Sequence, residues 1–210
     1  MTAPPFPAVD VAVGPRPARG GTAARVLAAV PVAALAVAVV LTMDRFRHGE
    51  ALLTAWVLEN VLGRPATVPS AEAVFYYQSV PGVIPVWGGF TVTDECSAAW
   101  FVGGVLAMTA LLLAGWRRAR AGRLLVASLV TIPLLVVVNT ARMVLITEAT
   151  ARWGEAGFGW SHTVGGSILM IATLCLGALL FIRIALLRAP RPTGAVRHRR
   201  DATARRTGDT

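Results

Sequence analysis

The chain has 210 residues, 55% of them hydrophobic and 15% charged, with a formal net charge of +9 and two cysteines. Its apolar residues are gathered into long uninterrupted runs, the mark of an integral membrane protein, and two cysteines exclude a disulfide framework or a four-cysteine zinc site. The basic residues are all Arg, a bias of coding composition; they flank the apolar runs, where membrane orientation accounts for them, and nucleic acid is excluded as a partner.

In chain order, residues 1–24 carry Pro, Gly, Ala and Arg without apolar periodicity and read as a flexible cytoplasmic arm. A membrane-embedded domain follows over 25–188. Its first span, 26–43, holds no charge and reaches about 27 Å as a helix, close to the thickness of a hydrocarbon core. No small-x-small cleavage signal precedes Asp44, so the span reads as a retained anchor. An outer loop covers 44–95. Within it, the apolar run 51–62 reaches only about 18 Å and contains Glu59, which predicts an interfacial or packed outer helix. Arg45 and Arg47 then fall outside, offset in part by Asp44 and Glu50. Val74–Tyr77, Val83–Trp87 and Phe90–Val92 are short β-prone pieces separated by Pro81-Gly82 and Gly88-Gly89, a small hairpin or meander that runs into Cys96.

The second span, 97–116, carries Gly103 and Gly104, small enough to admit a neighbouring helix. The link after it contains Arg117, Arg118, Arg120 and Arg123 with no acid and is assigned to the cytoplasm. The third span, 124–146, is interrupted by Pro133, Asn139 and Arg142. The fourth, 163–187, has Cys175 near its middle, where it is expected to pack inside the bundle; a bridge to Cys96 at a span end would have to cross about 20 Å. Residues 189–210 form a basic tail, also assigned inside. The fold class is therefore an all-α integral membrane protein of about four transmembrane helices, with both termini cytoplasmic and a small extracytoplasmic helix and β-hairpin region.

With these orientations Cys96, Arg142 and His162 share the outer membrane boundary. A thiol at a helix start, near an Arg or His, has its nucleophilic thiolate favoured, although Asp94 and Glu95 oppose this unless they cap the helix or pair with Arg142. Alone, Cys96 could be an inert small residue, Arg142 a snorkelling side chain and His162 an ordinary interfacial group. Asn139 and Arg142, three residues apart, share one helical face, and a polar pair on one face is better directed into a bundle than toward lipid.

Glu95-Cys96-Ser97, Asn139-Thr140-Ala141-Arg142 and His162-Thr163-Val164-Gly165-Gly166, in this order and at successive outer span ends, resemble the exosortase and archaeosortase family of multi-pass membrane transpeptidases. The resemblance implies a nucleophilic Cys96, with Arg142 stabilising an oxyanion or orienting substrate, His162 as general acid and base, and Asn139 in a substrate-binding motif. It implies as partners exported proteins ending in a recognition motif, an apolar helix and a basic tail, cleaved through a thioester at the outer face, with an acceptor amine, lipid around the enzyme and no cofactor or metal. The chain has Cys96-Ser97-Ala98 where many members have Cys-Ser-Gly, and it is shorter than members with about eight spans. Two other classes remain open on the residues: a non-enzymatic membrane scaffold or assembly factor of the same fold, and a transporter or proton relay built on Arg142 and His162.

Overall fold

The computed structural model describes residues 20–69, 72–80, 86–116 and 120–186. The flexible tails expected at 1–24 and 189–210 lie outside these residues, except that Gly20 already opens the first helix. The order is α1 (Gly20–Leu41), α2 (Met43–Asn60), β1 (Ala66–Thr67), β2 (Val74–Val80), β3 (Val86–Thr91), a 3-10 turn (Asp94–Cys96), α3 (Ala99–Gly115), α4 (Ala121–Gly159), a π-helical turn (Trp160–Gly165) and α5 (Gly166–Leu186).

Four apolar helices pack as two antiparallel pairs. In the first pair a side chain at Gly103 of α3 would meet Val40 of α1 at 3.3 Å. At the other end of that pair, Arg25 of α1 donates to the carbonyl oxygens of Leu113 and Trp116 at 3.2 and 2.7 Å, satisfying acceptors that the end of α3 leaves open. In the second pair Gly177 of α5 lies against Thr131 and Leu135 of α4. Ala29, Leu113, Leu124, Ala127, Phe181 and Ala185 form one cluster that draws together the start of α1, the end of α3, the start of α4 and the end of α5.

Two stretches, Ala23–Leu41 and Ala121–Ala185, are long and apolar enough to cross a membrane, and Ala99–Gly115 is a shorter apolar helix. Their apolar windows are only 11% and 22% buried, whereas the core helix of a water-soluble protein hides most of its surface. Leu111, Leu129, Ile168 and Leu179 all point outward.

The opposite end carries a separate layer. A three-stranded antiparallel sheet, in the order β1-β2-β3, pairs Phe75 with Phe90 and Tyr77 with Gly88. Alternation along β2 buries Phe75 and Tyr77 and exposes Tyr76, the period of two that a strand imposes. These rings pack with Ala51, Ala55 and Leu58 of α2 and with Met143 and Ile146 of α4. Arg64 joins the sheet to α4: it donates to both carboxylate oxygens of Glu148 at 2.6 and 3.0 Å and to the Gln78 carbonyl at 2.6 Å.

Three expectations are corrected. The helix expected over 51–62 begins at Met43, because its first turns are charged and carry no apolar run, although Asp44 there suits a helix N-terminus. The helix that carries the third span does not stop at 146 but continues to Gly159, broken at Gly154, whose φ of 57° only glycine adopts without strain. Cys175 is exposed on the outer surface of α5 rather than packed in the bundle; a helix apolar almost all round offers little phase from which its inward face can be read. Part of the β-prone piece Val83–Trp87 lies outside the described residues.

Candidate active site

Cys96 ends the 3-10 turn that follows β3, and it is 3% exposed. Its Sγ lies 4.0 Å from Nδ1 of His162. The histidine sits in the π-helical turn by which the chain re-enters the bundle, and its ring stacks on Phe158, with centroids 5.0 Å apart and planes 8° from parallel. Phe158 in turn abuts Phe90 of the sheet. Burial holds the imidazole's pKa below its ordinary value, the positive charge of Arg142 acts in the same direction, and Glu95 opposes them. Burial and Arg142 both favour the neutral ring, whose nitrogen lone pair can accept a proton.

Arg142 is 6% exposed, on the α4 face that also carries Asn139. Its Nε is buried without a hydrogen-bond partner among the described residues. Gly166 makes room for it: a Cβ there would stand 2.6 Å from that Nε. Arg142 also borders a groove of ≈ 580 Å³ between α4 and α5, lined otherwise mainly by apolar residues such as Leu145, Trp153 and Ile168.

Asn139 is fully buried and donates from Nδ2 to the carbonyl oxygen of Cys96 at 2.8 Å and to Oε1 of Glu50 at 2.8 Å. All four residues singled out in the sequence thus gather at one end of the bundle. Asp94 pairs with Arg47, which also holds Asp44, and not with Arg142.

Sequence reasoning missed Glu50 and Phe158. From the sequence Glu50 reads as a charge offsetting Arg45 and Arg47, yet it is 3% exposed. Besides Asn139, it accepts from Ser97 Oγ at 2.6 Å and from the Ala98 N–H at 3.0 Å. Burial raises its pKa, while the three donors and Arg142 pull it back. The available signal was a lone acid entering an apolar run, with Thr54 one helical turn later on the same face. Among the described residues no three of His, Cys, Asp and Glu come together as a metal-ligand set.

No curated protein and no solved structure matches the chain. The family model described as transmembrane exosortase matches residues 12–180, a stretch that includes every residue of this constellation. The chain belongs to the transmembrane exosortase family.

Proposed function

We propose that the protein is a membrane-embedded cysteine transpeptidase or peptidase that cleaves a C-terminal sorting signal from exported proteins at the extracytoplasmic face. The observation that carries this reading is the approach of Cys96 Sγ to His162 Nδ1 at 4.0 Å, beside an arginine whose buried Nε has no partner among the described residues.

In this reading α1, α3, α4 and α5 cross the membrane. The Arg-rich link after α3 and the two terminal segments lie in the cytoplasm, and the sheet and α2 lie outside. A client held with its basic tail inside presents the peptide preceding its apolar helix at the outer boundary, beside Cys96.

His162 removes the thiol proton, and the thiolate attacks the scissile carbonyl carbon. The carbonyl oxygen becomes an oxyanion, which Arg142 stabilises with N–H donors already freed from water. As the tetrahedral centre collapses, the carbon–nitrogen bond breaks, His162 returns the proton to the departing amine, and a thioester to Cys96 remains. An acceptor amine then attacks the thioester and releases the thiol, joining the client to the acceptor. Attack by water instead makes the enzyme a peptidase.

The test is C-terminal peptide mapping of exported membrane proteins from cells carrying the native enzyme or Cys96→Ala. Apolar tails retained only with the variant are the expected result. Identical termini in both strains would leave a scaffold of the same fold as the better account.

A further inference from the structure

The buried Glu50 plays no part in the chemistry above, and its placement asks for a reason. A carboxylate removed from water is costly unless donors replace its hydration. Here three donors converge on it, and each belongs to the immediate surroundings of Cys96. Ser97 and the Ala98 N–H are the next two residues along the chain, and Asn139 holds the Cys96 carbonyl with its other amide hydrogen. Ser97 Oγ also accepts from the Ala99 N–H at 3.1 Å, so the opening of α3 is capped by Glu50 and Ser97 together.

The carboxylate comes from a different helix. Thr54, one turn later on α2, lies 3.5 Å from the Met143 sulfur, so the Glu50 face of α2 is seated on α4 one turn beyond Asn139. Glu50 therefore ties three elements at one point: α2, the start of α3 and the polar face of α4. That point is the peptide unit carrying the thiol.

We propose that Glu50 is the positioning residue of the site: bonded to Ser97, the Ala98 N–H and Asn139, it fixes the backbone from the Cys96 carbonyl onward and so holds the thiol toward His162. The proposal rests on reading Cys96 and His162 as the reacting pair. Glu50 touches neither the thiol nor the imidazole, and its effect passes through the Cys96 backbone.

The experiment uses the full chain with Cys175→Ala, which leaves Cys96 as the single thiol, and follows its alkylation by iodoacetamide, a small neutral reagent that needs no client protein. His162→Ala alone and Glu50→Ala alone should each slow alkylation at pH 7 about tenfold, and the double variant should be no slower than the slower single one, because both changes break the same pairing. Glu50→Gln should fall between parent and Glu50→Ala, since its amide oxygen still accepts from the Ala98 N–H or from Asn139.

A merely structural Glu50 predicts the opposite pattern: Glu50→Gln alkylated at the parent rate, or the losses from Glu50 and His162 multiplying. Either result overturns the proposal. If Glu50→Ala does not accumulate, Glu50→Gln with and without His162→Ala decides the question. Failure of the peptidase reading is separate, because it shows as unchanged client termini in the Cys96→Ala strain while the alkylation coupling persists.

Discussion

His162 is the residue whose surroundings set how the chemistry answers to pH. As the base it must be neutral, and burial together with Arg142 holds its pKa below the ordinary histidine value of about 6.5. Protonation removes activity, so the midpoint of the acid limb of kcat/KM should lie below that value. Glu95 is the neighbour that pulls the other way. In Glu95→Gln the limb should move further toward acid, as read from initial cleavage rates across pH 4 to 8; a limb that moved up or stayed in place would mean that another group controls it. Asn139 and Arg142 were legible as a pair because two polar residues on one face of an apolar helix stand out in the sequence. Glu50 was not, since a single acid beside Arg45 and Arg47 looks like a surface charge until the fold turns it inward.

At the scale of elements, the return from α4 to α5 decides where His162 comes to rest. Gly154 takes the left-handed backbone, and Gly157 folds back so close to the helix before that break that a Cβ would stand 2.1 Å from the Ala149 carbonyl oxygen. Backbone cannot yield as a side-chain tip can, so Gly157→Ala should cost about 3 kcal/mol or more. Gly159→Ala, where a Cβ meets nothing within 4 Å, serves as the control and should be near neutral. Denaturant unfolding of the purified chain in detergent, with ligand-free protein, measures both. Equal stability of the two variants would show that the reversal tolerates opening. The sequence exposed the apolar core of each long helix, but not these joints. Charged or glycine-rich helical turns, such as the start of α2 and the end of α4, carry no apolar run by which to recognise them. The outward face of α5, with Cys175, stayed hidden for the converse reason: that helix is apolar almost all round, and Cys175 reads as one more apolar residue.

Taken whole, the molecule has an apolar, outward-facing bundle at one end and a sheet layer at the other, with the constellation at their junction. The three motifs that carry the resemblance lie within the stretch the family model matches, while side-chain contacts such as the Glu50 cluster need coordinates. One dimension of this arrangement has a physical outcome. From Ala121, where α4 begins, to Arg142 is about 32 Å of helix rise, close to a hydrocarbon thickness of about 30 Å. In the proposed orientation α4 is thus a ruler that sets Arg142 level with the lipid carbonyls, and the continuing turns lift Glu148 and the Arg64-bound sheet into water. Lengthening the acyl chains by several carbons draws the ruler's mark below the surface. Client cleavage in vesicles of graded phosphatidylcholine chain length should peak where the bilayer matches that distance and fall in thicker ones, because the thioester is then drawn away from the aqueous acceptor amine or water that resolves it.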